Sequence, residues 1–198
     1  MHFDEMMKEY AERRARALAM GGPEKLAARK AQNVLNARER VDYMLDAGTF
    51  IESGLFATSA RPEVRDRTPA DGRVCGFGRV DGREVAIVSN DFTVLGASSA
   101  LINQKKMKHV REVSNRRGLP MIYLGETSGG RMPDRMGASG RAMLGQDRME
   151  YGRIRKSPWA AALLGKCFGQ SAWYACLSDF VVMRKGATLA VASHRVAA

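Results

Sequence analysis

The sequence predicts an α/β fold in which strand pairs alternate with helices behind a helical N-terminal extension. Three observations carry this. Residues 1–48 repeat apolar residues at three- and four-residue steps among charges. From Asp71 the pattern changes to two segments rich in Val, Ile and Phe, separated by Asp81-Gly82. Beyond them, short apolar runs and helical stretches follow one another, punctuated by Gly and Pro.

The elements follow in order. Phe3, Met6, Met7, Tyr10 and Leu18 mark a first helix, stopped by Gly21-Gly22. Pro23, with its fixed φ and missing N–H, suits the first turn of the next. Leu26, Val34, Leu35, Val41, Met44 and Leu45 continue the stripe, and Asn36 with Glu39 forms a capping-box pattern at which the helix breaks; Gly48 closes the stretch. Residues 49–70, with Pro62 and Pro69, read as a connecting arm. Arg73–Val80 and Arg83–Asn90 are strands, and Asp81-Gly82 between them suits a type I′ turn, which needs positive φ at both positions. A helix over Ser99–Arg117 ends at Gly118, with Pro120 barring its continuation. Leu119–Leu124 is a short apolar strand, Gly125–Gly140 a Gly/Ser loop, and Arg141–Ile154 a helix. A strand over Ala161–Cys167, a helix over Gln170–Leu177, and strands over Phe180–Met183 and Thr188–Ala192 complete the order.

Composition bounds the function. Of 198 residues 45% are hydrophobic and 27% charged, which suits one packed core and neither a disordered polymer nor a membrane protein. The mean hydropathy is −0.30, and no run of 18 apolar residues exists to span a bilayer. Met1–Glu5 has no apolar signal region. Cys75, Cys167 and Cys176 are three cysteines without a Cys-x-x-Cys pair, so a reducing cytoplasm is expected. The 32 basic and 21 acidic residues give a net charge of +11, which favours anionic partners. The densest basic run, Lys105-Lys106-Met107-Lys108, has no interleaved aromatics, so a solvated helix face or a phosphate-recognition face fits better than a nucleic-acid reader.

No common catalytic set is present. His2, His109 and His194 have no metal-ligand spacing, and there is no Gly-x-Ser-x-Gly elbow or phosphate loop. Glycine instead gathers where strands lead into helices: Leu95-Gly96-Ala97-Ser98, Thr127-Ser128-Gly129-Gly130-Arg131, and Leu164–Ser171. The first N–H groups of a helix have no partner within it, and glycine lets a ligand approach them. Such donors can hold a developing oxyanion, while the plainer reading makes these glycines turn residues.

Several motifs in register resemble one family. Asn36–Val41 through Leu45–Phe50, Asp71–Val74, Gly76–Arg83, Asn90–Ser98 with Gln104-Lys105, Gly118–Leu124 and Ser178–Met183 are similar to the biotin-dependent acyl-CoA carboxyltransferases, the β subunits of propionyl-, acetyl- and methylcrotonyl-CoA carboxylases and related decarboxylases. The similarity covers about residues 30–195 in order. It implies a crotonase-like (ClpP-like) α/β superhelix of β-β-α units. With it the chain divides into a helical extension at 1–48, a connecting arm at 49–70 and an N-terminal crotonase-like carboxyltransferase domain at 71–198. That domain is expected to be truncated, with the C-terminal domain absent.

The resemblance also implies the chemistry. A carboxyl group moves from carboxybiotin to the α-carbon of an acyl-CoA through an enolate held by backbone oxyanion holes, with no protein nucleophile. Gly129 and Gly130, and Gly169 and Gln170, are the catalytic positions it implies; Gly96, Ala97, Ser98, Lys105 and Arg131 are the substrate-binding ones, and no metal is expected. The family's loops read Asp-Ser-Gly-Gly-Ala-Arg and Gly-Pro-Cys-Ala-Gly-Gly-Ala, so Ser128 stands for a glycine here and Gln170 for another. The implied partners are acyl-CoA, a biotin carboxyl carrier and a biotin carboxylase component, with a homo-oligomer of the family's hexameric, trimer-of-dimers type and neither nucleic acid nor membrane. Biotin on the carrier and coenzyme A in the substrate are the implied cofactors. Two other readings stand beside this one: a biotin-independent acyl-CoA decarboxylase or hydrolase on the same fold, and a non-catalytic binding or assembly module.

Overall fold

A computed structural model of the chain describes residues 3–138, 152–153 and 156–193. Three helices lead: α1 (Phe3–Leu18), α2 (Pro23–Ala31) and α3 (Ala37–Met44). Pro23 opens α2, as its lack of an N–H allows. The capping box at α3 is real: Asn36 Oδ1 accepts from the amides of Arg38 and Glu39, while Glu39 reaches back to the Asn36 amide. α3 stops at Met44, four residues before Gly48, which turns at φ +73.

The sheet has seven strands: β1 (Ile51–Glu52), β2 (Arg73–Val80), β3 (Arg83–Asn90), β4 (Met121–Thr127), β5 (Trp159–Phe168), β6 (Phe180–Met183) and β7 (Thr188–Ala190). They run in the order β1-β2-β3-β4-β5-β6, with β7 also on β5. The first two pairings are antiparallel; β3 through β6 are parallel, as is β7 on β5. Asp81 and Gly82 take φ +49 and +75, as the expected tight hairpin requires. β5 is ten residues long and serves two partners, β6 along Ala160–Leu163 and β7 along Lys166–Phe168. Residues 49–70 hold β1, which pairs with β2, and 3-10 turns at Pro62–Arg67 and Pro69–Gly72.

Strand alternation splits the core between two faces. Ala86 and Val88 of β3 face a cluster with Met107 and Val110 of α4 (Leu101–Arg117), Tyr123, Trp159 and Tyr174. Val85 and Ile87 face the other way, onto Met20, Ala37, Val41, Leu45 and Leu124. The leading helices therefore cover the second face of the sheet. Their ion pairs anchor them there. Arg29 and Arg40 both hold Glu126 of β4, and Arg38 makes a two-pronged bridge to Glu52 of β1. The apolar stripe expected to bury α1 does not: Phe3, Met6, Met7 and Tyr10 are exposed, and Ala17 at the other end of the helix is what packs. Tyr10 meets the ring of Phe56 edge-on at 5.8 Å.

α4 runs to Arg117 and Gly118 caps it in the left-handed conformation, φ +65. Among the described residues two further helices are short: α5 (Met132–Arg135) and α6 (Gln170–Cys176). The helix expected over Arg141–Ile154 lies almost wholly outside the described residues. No described helix is long and apolar enough to cross a membrane.

Candidate active site at the strand ends

Strands β3, β4 and β5 are parallel, so their carboxyl ends point the same way. Each end leads into one of the three glycine junctions, and the junctions meet. The Ser128 amide donates to Gly96 O at 2.8 Å, and a Cβ on Gly96 would stand 2.6 Å from Ser128 Oγ. The Ser99 amide donates to Gly129 O, and the Arg131 amide to Ser99 O. A Cβ on Gly169 would stand 3.7 Å from Gly129 Cα, so two bare backbones face each other.

The geometry sorts the expected site residues. Gly130 is exposed and Gly96 half-buried. Ala97 and Ser98, expected to bind substrate, are enclosed, and their amides close a 3-10 turn onto the Val94 and Leu95 carbonyls. Arg131 also points inward: Nη1 pairs with buried Asp71 at 2.8 Å and Nε donates to Ser98 Oγ. The Gly129 amide donates to Thr127 Oγ1 at 3.2 Å, and the Gly169 amide to the carbonyls of Ala190 and Val191 on β7 and beyond it. The next amide at that junction belongs to Gln170, in the first turn of α6. The Gln170 side chain is fixed: Nε2 donates to Gln104 Oε1 (2.6 Å) and Tyr174 OH (2.7 Å), while Oε1 accepts from Gln104 Nε2 and from Ser99 Oγ (3.2 Å). Lys105 is exposed on α4 beside Gln104.

Strain marks the same place. Leu95 and Ala97 take φ of +45 and +48 on either side of Gly96, and Ala70 and Asp71 take +49 and +45 before Gly72. Left-handed non-glycine residues cost roughly 1–3 kcal/mol each and gather at ligand sites. The Ala70–Gly72 turn is tied to the end of β3 by the Asp91 amide, which donates to Gly72 O at 3.0 Å. Burial pushes the carboxyls of Asp71 and Asp91 above the usual carboxylate range, against the pull of nearby arginines.

Leu95 also opens onto a groove of about 890 Å³ between α1, α2 and the 62–67 turn. Arg13, Arg16, Lys25, Arg65 and Arg67 line it, together with Asp66 and apolar residues such as Leu55. That is the size of a small-molecule site. The densest basic run of the sequence is Lys105–Lys108, whereas these cations come from three separate elements and no local run announces them.

The family model for the carboxyl transferase domain matches residues 28–198. The chain belongs to the carboxyl transferase family. Among curated members of this family, it is 32% identical over 188 residues to the propionyl-CoA carboxylase beta chain of Roseobacter denitrificans, covering 91% of this chain and 36% of that one. It is also 32% identical over 190 residues to the carboxyltransferase subunit of propionyl-CoA carboxylase from Haloferax mediterranei, covering 92% and 36%. Among solved structures, the transcarboxylase 12S hexamer with methylmalonyl-coenzyme A and methylmalonic acid bound superposes with a TM-score of 0.86 at 28% identity, covering 99% of this chain and 39% of that one. The carboxyl transferase fold here is thus the crotonase-like one that the sequence implied, and the chain spans about a third of the length of the curated relatives it matches.

Proposed function

We propose that this chain carries the acyl-CoA side of a carboxyl transfer, in which the carboxyl group passes between carboxybiotin and the α-carbon of the acyl-CoA. The observation that carries this is the meeting of Gly96, Gly129 and Gly169 at the carboxyl ends of three parallel strands, next to a cation-lined groove. The bare Gly129–Gly169 step suits a flat carbonyl group of the thioester or ureido kind, and a Cβ on Gly169 would stand against Gly129 Cα at 3.7 Å. The backbone amides of Gly130 and Gln170 are the oxyanion donors in this reading, preorganised by the Gly129–Ser99 ladder and by α6. Carboxybiotin, brought by a carrier protein, supplies the carboxyl group. The residues of this chain bind the thioester, hold the enolate oxygen and place the α-carbon. The groove cations and Lys105 take the coenzyme A phosphates. The partners in this reading are a biotin carboxyl carrier, a biotin carboxylase component and further copies of the chain. The setting is the cytoplasm, which suits three free cysteines.

Calorimetric titration with propionyl-CoA tests it. Arg65→Ala and Lys105→Ala are each expected to weaken binding by about 10- to 150-fold, because a charged phosphate contact contributes about 1.5–3 kcal/mol. The loss should be larger at low salt. Gly129→Ala, at a φ of +106 that strains an L side chain, should weaken binding and cost about 1–3 kcal/mol of stability. Affinity unchanged in all three variants overturns the assignment.

A further inference from the structure

Arg73 opens β2 and is 1% exposed, yet it has no counter-ion within ion-pair distance among the described residues. Its Nη2 reaches only Ser99 Oγ, at 3.3 Å, and its Nε and Nη1 have no hydrogen-bond partner among the described residues. The nearby carboxylate, Asp71, is already held by Arg131 and by the Asn103 amide. Lys106, also buried, places its ammonium on the carbonyls of Ala70 and Arg73 itself. Arg73, Lys106 and Arg131, all buried, thus gather about Asp71, with Glu52 also near Lys106. Asn90, opposite Arg73 in the β2–β3 register, leaves Oδ1 without a partner while its amide donates to Tyr123 OH. A buried guanidinium without a counter-charge is among the most expensive arrangements a fold can hold.

A chain of hydrogen bonds leads from Arg73 through buried Ser99 to the half-buried Gln170 and Gln104. Ser99 Oγ accepts from Arg73 and donates to Gln170 Oε1. Gln170 and Gln104, half-buried and reciprocally bonded, lie over it. The Gln170 oxygen is the acceptor on the far side of the Ser99 hydroxyl from the guanidinium, and a ligand that takes its place exchanges the Gln170 side-chain hydrogen bonds for its own.

We propose that Arg73 is the floor of a carboxylate-binding pocket closed by the Gln104–Gln170 amide pair. A carboxylate replaces the Gln170 oxygen, takes the hydroxyl of Ser99 and offers its second oxygen to the fork of Arg73, whose planar geometry matches it. The carboxylate comes either from a free small acid or from an acyl group that carries one. The second source rests on the reading of the adjacent strand ends as an acyl-CoA site; the first does not.

The 198-residue chain is titrated with sodium malonate, against sodium chloride at equal ionic strength, and the thermal midpoint is followed. The wild type is expected to rise with malonate beyond its response to chloride. Arg73→Met removes an unpaired buried charge, so its midpoint without malonate should equal or exceed that of the wild type, and its malonate response should vanish. Arg73→Lys, which keeps the charge and loses the fork, should bind malonate about tenfold more weakly. In a second arm malonyl-CoA is compared with butanoyl-CoA: preference for malonyl-CoA that Arg73→Met abolishes places the carboxylate on the acyl group. Equal affinity with an intact malonate effect assigns the pocket to the free acid. Failure of both thioesters to bind counts against the acyl-CoA reading and leaves the malonate result standing. Should Arg73→Met not fold, the wild-type Arg73 Nε–H resonance decides, and it is expected to shift on malonate addition. No malonate-specific effect in the wild type, or the same effect in Arg73→Met, overturns the proposal.

Discussion

Glu126 receives two guanidinium groups, one from α2 and one from α3, and is almost wholly buried. A Cβ on Gly165 would meet its carboxylate at 2.6 Å, so β5 has given up a side chain to make room for it. Glu126→Gln leaves Arg29 and Arg40 facing an uncharged partner. Removing one side of a buried ion pair costs about 3–5 kcal/mol, so urea unfolding should show a loss of that order. Asp91 behaves differently. Burial raises its native pKa above the usual 3.8, so between 3.8 and that raised value the folded state binds more protons than the unfolded one. Its contribution to stability is present at acid pH, falls as pH rises through that window and is constant above it. Asp91→Asn keeps an acceptor for the Thr93 amide and hydroxyl, so its stability relative to the wild type should improve from pH 4 to pH 7.5 in paired urea titrations. A relative stability that does not change with pH would show that Asp91 titrates as it does in the unfolded chain.

Among the elements, those fixed by neighbouring residues were legible in the sequence. Asp81-Gly82 specifies its hairpin because both residues tolerate positive φ, and Asn36 with Glu39 caps α3 through bonds three residues apart. Gly118 ends α4 for the same local reason. Elements fixed by distant partners were not. β1 is two residues long and exists because β2 accepts it; nothing in Ile51-Glu52 alone marks a strand. Leu95 and Ala97 are left-handed although neither type favours it, because the turn they form is held by Ser128 and Thr127 from β4 and its loop. Arg131 lies in the glycine loop yet faces Asp71, 60 residues away, a pairing that local spacing does not encode. Gly76 shows how tight the β1 contact is: a Cβ there would lie 2.0 Å from the Ile51 carbonyl oxygen. Gly76→Ala should therefore displace β1 and cost about 1–3 kcal/mol, with amide exchange accelerating at Ser53, whose N–H is bonded to Cys75 O.

For the molecule as a whole, the site depends on the parallel half of the sheet, while the antiparallel half and the leading helices brace it. Leu163 and Cys167 of β5 pack on Ala175 of α6, so the element that presents Gln170 is fixed from below. β6 faces outward, with Phe180, Val181, Val182 and Met183 all exposed. Exposed apolar strands of this kind self-associate unless charged or covered, so Val182→Lys should lower the apparent mass in concentrated solution by light scattering, with the unfolding midpoint little changed. The clamp at Glu126 has a further consequence, for the order in which the structure opens. Because one carboxylate on a central strand is shared by two surface helices, neither helix can be released without leaving that charge underneutralised. α2, α3 and β4 form a single cooperative unit, and their slowest amides should exchange with one common free energy. The leading helices therefore unfold with the sheet rather than before it, and proteolytic trimming from the N-terminus stalls ahead of Arg29.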